Sequence, residues 1–225
     1  MSDRSSIFDM IGPVMIGPSS SHTAGVVRIG RVARRILGGQ PQKCIITFYN
    51  SFARTYEGHG SDRAILAGLM DLKTDDSRIK EALKLADEKK LEYSLRAVTN
   101  ASQLHPNSIR INMEADGKSA EVLGISRGGG LISITEIDGY RCNFNAQQHT
   151  LIVQADDTRG SIAFIANAAA HDNCNIATMT VDRKSKNSKA KLVLEMDSGI
   201  RPVTLQYLQE THWIDTVIYI PDIDM

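Results

Sequence analysis

From His149 onward the apolar residues switch repeatedly between a two-residue and a three-to-four-residue period, which limits the fold more than any other feature of this chain. Residues 149–155 alternate Leu151 and Val153 with polar neighbours, as a strand with one buried face does. Residues 160–170 read as a helix and residues 174–181 as a strand. A charged loop, Lys184-Ser185-Lys186-Asn187-Ser188-Lys189, separates that strand from the next at 191–196. A helix over 202–210 starts with Pro202 near its first position, where the missing N–H costs nothing, and 217–220 is a last strand. The order β-α-β-β-α-β is the ferredoxin-like arrangement.

The first half follows another plan. Residues 24–37 place Val26, Ile29, Gly30, Ala33, Ile36 and Leu37 at helical spacing, with Arg28, Arg31, Arg34 and Arg35 on the remainder. Gly38-Gly39 stops this helix, and 44–49 is strand-like, rich in β-branched and aromatic residues. Helices are expected from Ser61 to about Met70 and from about Asp76, where Ile79, Leu83 and Ala86 share a face. Strands at 108–115 and 119–126 flank an Asp116-Gly117 turn and form a hairpin. Gly128-Gly129-Gly130 leads to a strand at 131–137 and a second turn at Asp138-Gly139. The expected fold is α+β: a mixed α/β domain over 1–147, then a ferredoxin-like domain over 148–225.

Composition excludes several function classes. Lys+Arg and Asp+Glu both number 26, so there is no overall basic field for nucleic acid. Apolar runs are too short to span a bilayer, and the first residues lack a signal-peptide core. Cys44, Cys142 and Cys174 are scattered and odd in number, which fits reduced thiols in a cytoplasmic protein and supplies no cysteine-spaced metal motif.

The chemistry-bearing residues lie in three clusters. Gly17-Pro18-Ser19-Ser20-Ser21-His22-Thr23-Ala24-Gly25 packs hydroxyls and an imidazole against a helix start. Ser21 or Thr23 can cap that helix, but capping needs one such residue. The surplus suits a small anion held by hydroxyls, backbone amides and the positive helix end. In Glu57-Gly58-His59-Gly60-Ser61-Asp62, flanking glycines leave His59 uncrowded for donating to an oxygen or moving a proton; a solvated turn is the plain alternative. In His105-Pro106-Asn107-Ser108, Pro106 holds His105 extended and Asn107 can fix a turn. Convergence of His22, His59 and His105 on zinc is possible, yet their spacing does not demand it, and no metal ligand is assigned. No nucleophile elbow, Walker loop or dinucleotide fingerprint is present.

These motifs, in this order, and the Gly124-x-Ser126-x-Gly128-Gly129-Gly130 segment resemble the β subunit of the bacterial iron–sulfur-dependent L-serine dehydratases. The second half resembles an ACT domain, a small amino-acid-sensing module. The resemblance implies deamination of L-serine to pyruvate and ammonia, with a 4Fe–4S cluster ligated by a separate α subunit. It implies substrate contacts from Ser19, Ser20, Ser21, Thr23, His105 and Asn107, and acid–base or orienting roles for His22 and His59. Asp157 and Gly160, at the first strand-to-helix turn of the ACT-like half, would meet an amino-acid effector. The expected partners are the α subunit, L-serine, a possible effector and a further copy of the chain, with no nucleic acid or membrane. The competing expectation is a non-catalytic, amino-acid-sensing subunit whose serine-rich loop binds a carboxylate effector.

Overall fold

A computed structural model describes residues 13–223, which divide into two compact units after Asp138. The sequence reading drew this division at 147/148.

In the first unit the strands are β1 (Lys43–Tyr49), β2 (Glu92–Val98), β3 (Ser108–Ala115), β4 (Lys118–Gly128) and β5 (Leu131–Ile137). They lie in the order β2-β1-β3-β4-β5, with β1 and β2 parallel and the other neighbours antiparallel. The expected hairpin forms at Asp116-Gly117, where φ values of 50° and 74° suit the paired left-handed conformations of a tight β-turn. The described helices of this unit are α1 (Ala24–Leu37), α2 (Asn50–Thr55), α3 (Ser61–Leu69) and α4 (Ala82–Glu88), with a 3-10 stretch at Ser77–Glu81 before α4. Asp76 caps that stretch by accepting from the Arg78 N–H.

The core forms where the apolar stripe of α1, including Val26, Ile29 and Ala33, meets Ile46, Phe48, Ile109, Ile111 and Ile134 of the sheet. Helix α1 ends as its sequence implies, with Gly38 at φ 90° returning its N–H to the Arg34 and Arg35 carbonyls. Its arginines do not all face solvent. Arg28 is fully buried and donates to the Gly130 carbonyl at 2.7 Å. Helices α1 and α3 meet backbone to backbone: a Cβ on Gly68 would lie 2.2 Å from the Val27 carbonyl oxygen.

Sequence periodicity missed α2 and β2. Six residues of α2 are too few to display a helical stripe, and β2 is largely exposed, so its side chains carry little alternation.

The second unit begins with β6 (Tyr140–Phe144), which was likewise unforeseen, and continues as β7 (His149–Asp156), α5 (Ser161–His171), β8 (Ile176–Arg183), β9 (Lys189–Met196), α6 (Pro202–Gln209) and β10 (Ile214–Ile220). The sheet order β10-β7-β9-β8, all antiparallel, is ferredoxin-like, as the alternation of periods requires. Its core of Leu151, Val153, Leu192, Leu194, Ile165 and Leu208 lies between the sheet and the two helices. No described helix is long and apolar enough to cross a membrane.

Candidate functional site

The serine loop is held by its neighbours before it holds anything else. Thr23 N–H donates to the Ser19 carbonyl at 2.8 Å and Gly25 N–H to the Ser20 carbonyl at 3.0 Å, winding residues 19–25 into the start of α1. At the start of α1 the Gly25 and Val27 N–H groups are thus satisfied by backbone carbonyls. The side-chain cap expected of Ser21 or Thr23 is not made by Thr23, which is 2% exposed with an unpartnered hydroxyl turned against Gly17. Gly17 has φ 151°, and a Cβ there would come within 2.2 Å of that hydroxyl oxygen. Thr23 is thus buried beside Gly17, and its hydroxyl stands apart from the hydrogen-bonded Ser19, Ser21 and His22 group.

The neighbouring side chains converge. His22 Nδ1 lies 3.2 Å from Ser19 Oγ and 3.1 Å from Ser21 Oγ, and the two hydroxyls are 3.2 Å apart. On the far side of the ring, His22 Nε2 is 3.0 Å from Thr55 Oγ1. The single hydroxyl proton of Thr55 is given to the Ser51 carbonyl at 2.9 Å, so Thr55 Oγ1 accepts from His22. Neutral His22 then carries its proton on Nε2 and presents the Nδ1 lone pair to the serines.

His59 takes the opposite tautomer. Its Nδ1 is 3.2 Å from the Thr55 carbonyl, which can only accept, so the proton sits on Nδ1 and the Nε2 lone pair has no partner among the described residues. The two imidazoles lie 4.6 Å apart between centroids, and Phe52 covers His22 at 4.7 Å. Burial lowers the pKa of His22 below its usual 6.5, and the nearby His59 lowers it further, so His22 is neutral at pH 7.

Ser20 points elsewhere: its hydroxyl oxygen accepts from the Gly129 N–H at 3.2 Å and keeps its own proton to donate. Gly129 thus ties the glycine triplet, whose three residues all have positive φ, to the serine loop. Ser61, the first residue of α3, fixes the loop from another side by donating to the His22 carbonyl at 3.0 Å.

His105 and Asn107 join through Ser126. That residue is fully buried on β4; its N–H donates to the Asn107 carbonyl at 3.0 Å and its hydroxyl to the Ser21 carbonyl at 2.8 Å. Gly25 permits the approach, since a Cβ there would sit 2.2 Å from Ser126 Oγ. His105 Nδ1 accepts from the Asn107 N–H at 3.1 Å, which leaves the proton of the neutral ring on Nε2. Burial, followed by the charge of Arg127, lowers the His105 pKa. Asn50, at φ 52°, ties the same loop to α2 by donating to the Ala101 and Leu104 carbonyls at 2.9 and 3.0 Å.

The first unit therefore unites Ser19, Ser21, His22 and His59 directly, connects Ser20 and Asn107 through backbone contacts, and buries Thr23. Sequence reasoning assigned no role to Thr55, Asn50, Ser61 or Ser126. Ser61 and Ser126 lie within the motifs already singled out, whereas Thr55 sits on the unforeseen α2 and gave no signal.

In the second unit Asp157 pairs with Arg183, and Gly160 opens α5 at φ 88° with no atom within 4 Å of a would-be Cβ.

A family model described as "Serine dehydratase beta chain" matches residues 6–136, which include the whole of this site. The chain is 42% identical over 218 residues to the probable L-serine dehydratase beta chain of Bacillus subtilis, covering 97% of this chain and 94% of that one. It belongs to the serine dehydratase beta-chain family. A second member, the L-serine dehydratase beta chain of Peptoniphilus asaccharolyticus, is 33% identical, with 87% of this chain and 88% of that one covered. Among solved structures, the ACT domain of a Chlorobium tepidum GTP pyrophosphokinase aligns with 34% of this chain and 89% of its own length, at 14% identity and a TM-score of 0.28. The ferredoxin-like reading of the second unit rests on its own strand order. For this family member, the matched region holds the serine loop, both facing imidazoles and the glycine triplet.

Proposed function

We propose that this chain is the beta half of an iron–sulfur-dependent L-serine dehydratase, removing water from L-serine to give pyruvate and ammonia together with an alpha chain that carries a 4Fe–4S cluster. The observation that carries the reading is the pair of facing imidazoles, each anchored to Thr55 through one ring nitrogen, beside a loop of three serine hydroxyls.

The described cysteines, Cys44, Cys142 and Cys174, are not grouped as cluster ligands. Cys44 is buried on β1 and its thiol is pushed up to about 12 by burial, so it is a poor source of thiolate; Cys174 is buried in the other unit. Among the described residues no three His, Cys, Asp or Glu side chains are grouped to hold a metal. The reading assigns the cluster, and departure of the substrate hydroxyl, to the partner chain.

What this chain supplies follows from its own donors and acceptors. Ser20 retains a hydroxyl proton for the substrate carboxylate, and Ser19 and Ser21 can turn their protons from His22 Nδ1 to the same anion. His22, neutral, holds those hydroxyls in place. His59 Nε2 is the base that takes the α-proton, because its lone pair is uncommitted while Nδ1 is anchored. His105 and Asn107 line the same site. Loss of the α-proton and the β-hydroxyl leaves an enamine, which tautomerises to an imine and takes up water to release ammonia.

The test is anaerobic co-purification with the alpha chain and measurement of pyruvate from L-serine. Turnover should require both chains, and His59→Ala should lower it by roughly 100-fold or more, the usual contribution of a general base. Full activity of the alpha chain alone, or unchanged turnover in both His22→Ala and Ser20→Ala, would sink the reading. Variants that alter only an amino-acid response, with turnover intact, would instead favour a sensing subunit. We further assign the Asp157–Gly160 turn to an amino-acid effector, on the support of the open, left-handed Gly160.

A further inference from the structure

We infer that Thr55 is a positioning residue that sets the protonation pattern of both site imidazoles, and sets them in opposite senses. The inference rests on reading His22 and His59 as the proton-handling pair.

Thr55 ends α2, and two of its oxygens do different work. The hydroxyl gives its one proton back along the helix to the Ser51 carbonyl at 2.9 Å, and can therefore only accept from His22 Nε2 at 3.0 Å. The backbone carbonyl accepts from His59 Nδ1 at 3.2 Å, and also from the His59 N–H at 3.0 Å. One residue thus places the proton of His22 on Nε2 and that of His59 on Nδ1. The lone pairs that remain, His22 Nδ1 toward the serine hydroxyls and His59 Nε2 away from Thr55, are the two the reaction needs.

The side chain and the main chain of Thr55 hold different rings, so substitution separates them. Removing the hydroxyl releases His22 and leaves His59 anchored by the carbonyl. A threonine serving only to pack α2 would move neither ring's proton.

The test is long-range proton–nitrogen NMR of the full chain labelled at its histidines, at a pH where both rings are neutral. The wild-type chain should show His22 protonated on Nε2 and His59 on Nδ1. Thr55→Val should turn His22 into a mixture of tautomers while His59 keeps its proton on Nδ1, and Thr55→Ser should restore the wild-type pattern. In complex with the alpha chain, Thr55→Val should lower kcat about tenfold, the rate equivalent of one lost hydrogen bond, with recovery in Thr55→Ser. His22 protonated on Nδ1 in the wild type, or a His22 spectrum unmoved by Thr55→Val, overturns the inference. The wild-type spectrum decides without any variant having to fold. If the complex turns over no serine at all, the proposed function fails and the nitrogen shifts still decide the role of Thr55.

Discussion

Gly25 and Ser126 show how little room single residues have in this site. Ser126 reaches the Ser21 carbonyl only because position 25 has no side chain. Gly25→Ala should force the Ser126 hydroxyl away from Ser21, costing about 1–3 kcal/mol by overpacking and reducing turnover; urea unfolding and a pyruvate assay measure the two effects. The histidines add a pH dependence. The folded-state pKa values of His22 and His105 are lowered, so between those values and 6.5 the unfolded chain binds more protons than the folded one. Stability from this source is present above pH 6.5 and lost as pH falls through the folded values. Urea midpoints taken from pH 8 to pH 5 should decline on acidification, and His22→Ala should flatten the decline. The identities of Ser19, Ser20, Ser21, His22 and His59 were legible in the sequence because a crowd of donors between glycines has few structural uses. The burial of Thr23 was not legible, since a hydroxyl at a helix start looks the same whether it faces a ligand or Gly17.

Two element-level contacts keep these residues in register. Helices α1 and α3 touch through Gly30 and Gly68, with Ser61 at the head of α3 holding the His22 carbonyl. Gly68→Ala would set a methyl 2.2 Å from a backbone oxygen that cannot rotate away, so a loss of about 3 kcal/mol is expected in chemical unfolding. Helix α2 carries Thr55 at one end and Asn50 at the other, and Asn50 fastens the loop that leads to His105. Asn50→Ala removes those bonds and leaves alanine at φ 52°; amides of residues 99–107 should exchange faster with solvent, as hydrogen exchange would record. Both devices escaped a periodicity reading. A glycine at a helix contact is invisible without its partner helix, and six residues do not make a stripe.

At the scale of the whole molecule, each unit has its own buried apolar core, and the serine and histidine contacts described all lie within the first. Removing residues 148–225 should abolish binding of an amino-acid effector while pyruvate formation with the alpha chain persists. Calorimetric titration and the turnover assay check the two halves of that statement, and a lost activity with unchanged effector binding would refute it. By itself the sequence determined the ferredoxin-like second unit, the hairpin at Asp116-Gly117, the motifs of the site and the resemblance to serine dehydratase beta chains. Those features rest on local periodicity, turn chemistry and residue type, which are written along the chain. The burial of Arg28, the link that Ser126 makes between two loops and the contact of both imidazoles with Thr55 arise only when the chain folds. Those outcomes depend on partners 33 to 105 residues away, or on a helix too short to announce itself, and no local pattern encodes them.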